Sequence, residues 1–124
     1  MTVAHLGDSS ALLVRQDGQI KKLTSDHHPS RQDEFTRISQ KGGYISFKNG
    51  VARVDGCLAV SRAIGDIQHK QFVISEPEVI THELESADDL LLLTTDGLLD
   101  VFSLQELRDL VKNLRHLGLP AMCA

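Results

Sequence analysis

The chain of 124 residues has the length of one domain, and its 41% hydrophobic and 24% charged residues are typical of a soluble fold. Its net charge of −4, from 17 acidic and 13 basic side chains, argues against nucleic acid as the main partner, because phosphate backbones require a concentrated basic face. The sequence shows neither a membrane-spanning segment nor a signal-peptide pattern. Its two cysteines, Cys57 and Cys123, form no paired motif, which predicts no disulfide framework and favours a cytoplasmic or nuclear protein.

Short apolar segments separated by turn residues begin the chain. Residues 3–6 and 11–15 are predicted strands, joined by a turn that contains Gly7 and Asp8. The dipeptide Asp17-Gly18 predicts a hairpin, whose return strand would cover residues 20–23. The chain therefore opens with a set of antiparallel strands.

A helix is predicted after the irregular segment 24–29. Ser30 is the candidate N-cap, and Gly42-Gly43 supplies residues that tolerate positive φ at the other end. Phe35 and Ile38 lie three positions apart, so we expect them to share the buried face of this helix.

Further strands follow this helix. Residues 44–47 and 51–54 flank Asn49-Gly50, which is a strong hairpin signal. Three more strands are predicted at residues 72–74, 79–84 and 90–95. The last of these is an apolar leucine run, which predicts burial on both of its faces.

The C-terminal part of the chain predicts a helix. Ser103 and Glu106 have the spacing of a capping box. One apolar stripe at helical spacing follows, formed by Leu104, Leu107, Leu110, Val111, Leu114 and Leu117. Because strands outnumber helices and no βαβ alternation occurs, the predicted class is α+β with largely antiparallel sheets.

Three aspartates follow apolar strands and are candidate metal ligands. Asp100 lies four residues after Asp96, so one helical turn would direct both side chains to the same place, and Asp8 follows another strand. Carboxylates with no nearby lysine suit a hard divalent cation, and two such ions can lower the pKa of a water and hold a phosphoryl group. The alternative is that each aspartate is only a turn residue or a helix cap.

Aspartyl-phosphate chemistry is a further alternative for Asp96. That chemistry, in haloacid-dehalogenase-like phosphatases, needs a second acid two residues after the first, and Leu98 occupies that position. The sequence therefore does not favour aspartyl-phosphate chemistry.

Six segments resemble, in order and spacing, the metal-dependent protein serine/threonine phosphatases of the 2C type. They cover residues 3–9, 23–29, 34–43, 53–66, 75–79 and 95–101. The resemblance implies two stacked antiparallel β-sheets flanked by helices. It also implies a two-metal Mg²⁺ or Mn²⁺ centre with a third, weaker site, in which Asp96 binds the paired metals and Asp8 and Asp100 help to hold the third. No catalytic residue beyond these metal ligands is implied.

The chain departs from the family pattern at two places. Nothing matches the early Asp-Gly-His-Gly-Gly segment, and the late Asp-Asn segment would lie beyond Ala124. Residues 1–124 are therefore expected to form the middle and later part of a larger domain that removes phosphate from phosphoserine and phosphothreonine in phosphorylated protein substrates. The alternative is a truncated, non-catalytic fragment that acts as a binding or regulatory module. An incomplete domain exposes strand edges, which predicts association and poorly cooperative unfolding.

Other polar residues receive structural interpretations. Arg62 is expected to order its loop instead of clamping phosphate, and Cys57 is expected to be a buried thiol. The six histidines show no i, i+4 pairing, so the sequence does not support a zinc site. They are His5, His27, His28, His69, His82 and His116.

Overall fold

A computed structural model describes residues 1–114 of the protein, and these divide into two compact units. Unit 1 contains residues 1–3, 10–24 and 81–114. Unit 2 contains residues 4–9 and 25–80. Within residues 1–114 no helix has both the length and the apolar character that a membrane span needs.

Strands predominate in the described part of the chain, as predicted. The elements are β1 (Thr2–His5), β2 (Ser10–Arg15), β3 (Ile20–Lys22), α1 (Gln32–Gln40), β4 (Ile45–Lys48), β5 (Val51–Val54), a 3₁₀ helix (Ile67–His69), β6 (Glu78–Thr81), β7 (Asp88–Thr94), α2 (Asp96–Leu99) and α3 (Leu104–Leu114). The sheets have the orders β1-β6, β3-β2-β7 and β4-β5. Strand β2 runs antiparallel to both of its neighbours, and β4 runs antiparallel to β5. The predicted α+β class is confirmed.

Strand β2 is the buried centre of unit 1. Leu12 pairs with Lys22 of β3 on one side and with Leu92 of β7 on the other. The four residues 11–14 are at most 2% exposed. The predicted turn between β2 and β3 is confirmed, because Gly18 adopts φ 85° and the Asp17 carboxylate accepts a hydrogen bond from the Gln19 N–H at 2.8 Å.

Strand β7 is not buried on both faces, so that prediction was wrong. Within the described residues it pairs with β2 alone and lies at the edge of its sheet. Leu91 is 39% exposed and Leu93 is 69% exposed, and exposure alternates along the strand. The leucine run therefore has one inward face and one outward face that no described element covers.

Helix α3 begins with the predicted capping box. The Ser103 N–H donates to Glu106 Oε2 at 2.8 Å, and the Glu106 N–H donates back to Ser103 Oγ at 3.3 Å. Leu107 and Val111 are buried, whereas Leu104 and Leu110 are each 39% exposed, so the inward face is narrower than the predicted stripe. Leu117 and Cys123 lie outside the described residues.

Helix α1 begins later than predicted. Its N-cap is Arg31, with no side-chain capping bond, so the expected cap by Ser30 was wrong. The Arg31 guanidinium is held by Asp33 at 2.7 and 2.8 Å. Phe35 is 43% exposed, and Glu34 shares the buried face of the helix with Ile38 instead.

The remainder of unit 2 is built from turns and a small apolar core. Asn49 and Gly50 adopt φ 52° and 80°, so the predicted hairpin between β4 and β5 is confirmed. Ile38, Val54 and Val73 form the core.

Two predictions in the rest of unit 2 were wrong. Residues 72–74 form no strand, because their pairing is limited to an isolated bridge between Arg62 and Ile74. Cys57 is exposed in a turn that follows Gly56, which adopts φ 72°.

Candidate functional site

Asp96 and Asp100 lie on one helical turn directly after β7. Asp96 is the first residue of α2, and its carboxylate Oδ1 accepts a hydrogen bond from the Gly97 N–H at 2.8 Å. The Asp100 N–H donates to the Asp96 carbonyl at 2.9 Å, which closes the turn. Both side chains therefore lie on the same side of the helix, as the spacing predicted, and both are exposed.

The donor chemistry of this turn fits a hard divalent cation. Carboxylate oxygens are the ligands that Mg²⁺ and Mn²⁺ prefer. Within residues 1–114 neither Asp96 nor Asp100 forms a salt bridge with a basic side chain that would neutralise it. Their metal-ligating role stays a prediction.

Asp8 lies in unit 2, in the turn between β1 and β2. Gly7 adopts φ 77°, a conformation that favours glycine, and its carbonyl accepts two hydrogen bonds from His27. The donors are the His27 N–H at 2.9 Å and the ring Nδ1 at 3.2 Å. The backbone before Asp8 is thus fixed by a fully buried side chain. The grouping of Asp8 with Asp96 and Asp100 around shared metals stays a prediction.

A buried carboxylate between two arginines orders the loops of unit 2. Glu34 is 1% exposed, and it accepts a hydrogen bond from Arg62 at 2.7 Å and one from Arg37 at 2.8 Å. Burial alone would raise the pKa of Glu34, but these charged hydrogen bonds outweigh burial and hold its pKa at about 2. The glutamate therefore stays ionised throughout the neutral range.

The two arginines also hold backbone carbonyls. Arg62 donates to the Glu76 carbonyl at 3.1 Å, and Arg37 donates to the Phe72 carbonyl at 2.7 Å and the Ser61 carbonyl at 3.1 Å. These bonds connect α1 to both ends of the segment from Ser61 to Glu76. The geometry agrees with the prediction that Arg62 orders its loop.

Three side chains that the sequence did not group together meet elsewhere in unit 2. His5 ends β1, His27 lies in the irregular segment before α1, and Glu78 begins β6. Each offers a ligand atom, and these atoms lie within 4.8 Å of one another. The residues are 22 and 51 positions apart in the chain, so no local spacing could have indicated the cluster.

Both histidines of this cluster are buried. His5 is 8% exposed and His27 is 0% exposed. Burial is the main cause that lowers the pKa of each ring, and the nearby Arg31 and Arg62 guanidinium groups add to the effect. Both rings are therefore neutral at neutral pH.

Comparison with known proteins identifies the chain's relatives. The sequence profile described as protein phosphatase 2C matches residues 1–124. Probable protein phosphatase 2C 14 from Arabidopsis thaliana is 49% identical over 106 residues, which cover 86% of this chain and 24% of that protein. Protein phosphatase 1F from Mus musculus is 47% identical over 118 residues, which cover 94% of this chain and 26% of that protein.

Solved structures share the fold. A sex determining protein from C. elegans matches with a TM-score of 0.87 and 35% identity, over 91% of this chain and 28% of that one. Serine-threonine phosphatase 2C from Toxoplasma gondii matches with a TM-score of 0.82 and 28% identity, over 94% of this chain and 44% of that one.

These likenesses first define a class, the α+β protein phosphatases with antiparallel sheets. Within it, the chain belongs to the protein phosphatase 2C family, as its six motifs predicted. The chain spans about a quarter of the length of the curated relatives it matches.

Proposed function

We propose that this chain forms part of a Mg²⁺- or Mn²⁺-dependent phosphatase domain that hydrolyses phosphoserine and phosphothreonine in proteins. The observation that supports the proposal is the turn of α2, in which the Asp100 N–H donates to the Asp96 carbonyl, so that both aspartates lie on one helical turn directly after β7. Membership of the protein phosphatase 2C family supports the reaction class.

The chain's own residues contribute metal ligands and a fixed scaffold. Asp96, Asp100 and Asp8 would hold the ions, which when bound supply a water of lowered pKa and neutralise the phosphate charge. Gly97 donates its N–H to Asp96, which orients that carboxylate. Neutralisation by metal ions explains how a chain of net charge −4 can act on anionic substrates.

The proposed domain extends beyond these 124 residues. The sequence contains no Asp-Gly-His-Gly-Gly segment, which supplies the bridging aspartate in the family it resembles. The chain would therefore need that segment and a later Asp-Asn segment to complete the metal centre. Phosphorylated proteins are the proposed partners of the completed domain.

A second candidate is a non-catalytic binding or regulatory module. The absence of an Asp-Gly-His-Gly-Gly segment from the sequence favours this function for the 124-residue chain by itself. The retained Asp8, Asp96 and Asp100 favour the enzyme for a longer form.

The test compares hydrolysis of p-nitrophenyl phosphate and a phosphothreonine peptide, with Mn²⁺, by this chain and by a form extended to include both missing segments. We expect the extended form to be active. Asp96→Asn should lower its kcat/KM by at least about a hundredfold, because a metal ligand is worth several kcal/mol in the transition state. Asp109→Asn is the matched control, since Asp109 is an exposed aspartate on α3.

Each result separates the two candidates. No turnover by the extended form, or equal turnover by its Asp96→Asn variant, would overturn the enzyme proposal. Turnover by the 124-residue chain that disappears in Asp96→Asn would overturn the non-catalytic module.

A further inference from the structure

The cluster of His5, His27 and Glu78 contains an unusual contact between two acceptor atoms. His27 Nδ1 lies 3.2 Å from the Gly7 carbonyl, which can only accept, so Nδ1 carries the ring proton. The neutral ring then has its lone pair on Nε2. This buried atom has no hydrogen-bond partner among the described residues, and it lies 3.3 Å from the carboxylate Oε2 of Glu78.

Two facing lone pairs need a positive charge between them. A proton on His27 would supply it, but complete burial and the nearby arginines oppose a charged ring. A bound cation meets the same need without charging the imidazole. A histidine that ligates a metal through one nitrogen usually donates the other N–H to a carbonyl or carboxylate, which is the arrangement of His27 with Gly7.

The remaining members of the cluster complete such a site. The His5 and His27 rings meet edge to face, with centroids 4.6 Å apart. His5 Nε2 accepts a hydrogen bond from the Ser25 N–H at 3.2 Å, so the neutral ring carries its proton on Nδ1, which is buried and has no hydrogen-bond partner among the described residues. Metal binding by either nitrogen of His5 therefore replaces the hydrogen bond from Ser25. One ring nitrogen of His5 lies within 4.8 Å of the other two ligand atoms.

Arg31 fixes the carboxylate of Glu78. Its Nη1 donates to Glu78 Oε2 at 2.9 Å, and its Nε and Nη2 are held by Asp33. Ligating carboxylates commonly receive such outer hydrogen bonds, which orient them toward the metal. The positive charge of Arg31 weakens cation binding at this site. Asp33 partly offsets that charge, because its carboxylate pairs with the Arg31 guanidinium.

We propose that His5, His27 and Glu78 bind one zinc-class transition-metal ion. Two imidazoles and one carboxylate are a donor set typical of zinc, whereas Mg²⁺ prefers oxygen ligands alone. Ligand atoms about 2.0–2.1 Å from a tetrahedral zinc lie roughly 3.4 Å apart. The 3.3 Å separation of His27 Nε2 and Glu78 Oε2 already matches that spacing. The ligand nitrogen of His5 lies within 4.8 Å of both of these atoms and moves toward them to complete the third edge, which leaves the fourth position to water.

The test is zinc titration of the chelator-treated protein against a chromophoric zinc indicator. We expect one zinc per chain and a rise in the thermal unfolding midpoint on loading. His27→Gln and Glu78→Gln should each weaken zinc binding by more than about a hundredfold, beyond the effect of an outer-shell change. His28→Gln and Glu76→Gln are the matched controls, since these neighbours lie outside the cluster.

Several outcomes would overturn the site. They are the absence of stoichiometric zinc, equal binding by the ligand and control variants, or displacement of zinc by millimolar Mg²⁺. Asp96→Asn should bind zinc as tightly as the unaltered protein, because the zinc site does not use the predicted phosphatase ligands. The zinc proposal is therefore independent of the proposed function.

A measurement on the unaltered protein guards against misfolded variants. In long-range ¹H–¹⁵N NMR spectra of the imidazoles, zinc should shift Nε2 of His27 while its Nδ1 remains protonated. Unchanged His27 resonances at saturating zinc would also overturn the proposal.

Discussion

The ionised Glu34 makes the stability of this chain depend on pH at the scale of one residue. Its pKa falls from the ordinary 4.5 to about 2 in the folded state, while the unfolded chain keeps the ordinary value. The unfolded state therefore binds the proton first as pH falls, so stability is full above about 4.5 and is lost as pH approaches 2.

We predict that the free energy of unfolding decreases between pH 5 and pH 3, as measured by urea denaturation, and that part of this slope disappears in Glu34→Gln. The variant should also be less stable at pH 7 by about 3–5 kcal/mol, because Arg37 and Arg62 lose their buried partner. Glu83→Gln, at an exposed position, is the control. Identical pH slopes for Glu34→Gln and the unaltered chain would contradict the assignment.

At the scale of single elements, substitution of two serines that precede helices should change stability by different amounts. Ser103 caps α3 through Glu106, so Ser103→Ala should lower the free energy of unfolding by about 1 kcal/mol. Ser30 precedes α1 without capping it, so Ser30→Ala should change stability by less than about 0.5 kcal/mol. Thermal and urea unfolding of both variants measure the difference, and equal losses would contradict the assigned caps.

Elements set by neighbouring residues were predictable, and those set by distant contacts were not. The Asn49-Gly50 hairpin and the Ser103 capping box depend on residues within a few positions, and both were found. The start of α1 was misplaced because the Arg31 side chain is held by Asp33 and by the distant Glu78.

The same distinction applies to the candidate sites. The shared turn of Asp96 and Asp100 follows from four-residue spacing, whereas the meeting of His5 with Glu78 depends on the pairing of β1 with β6. A single sequence carries no local signal for that pairing. The burial of β7 was also overestimated, because it depends on contacts with distant parts of the chain. A run of leucines does not show whether other elements cover one face of the strand or both.

At the scale of the whole molecule, the exposed face of β7 predicts association between chains. Leu93 is 69% exposed on β7, whose outer edge is paired with no other strand within residues 1–114, and such an edge offers both apolar area and backbone hydrogen-bonding groups. Leu93→Lys should reduce concentration-dependent association in sedimentation velocity experiments. Val101→Lys is the matched control, because Val101 is 70% exposed but lies outside the strands. A monomeric unaltered chain at high concentration would contradict this prediction.

The interleaving of the two units has a consequence for dissecting the protein. The backbone passes from one unit to the other after residues 3, 9, 24 and 80, so neither unit is a continuous stretch. A recombinant piece of residues 25–80 would omit Gly7. The Gly7 carbonyl accepts hydrogen bonds from both the backbone N–H and the ring Nδ1 of His27. Truncation would thus remove both of these hydrogen bonds from His27, which the shortened piece retains. Circular permutation, which preserves every residue, is the better way to separate chain order from folding in this molecule.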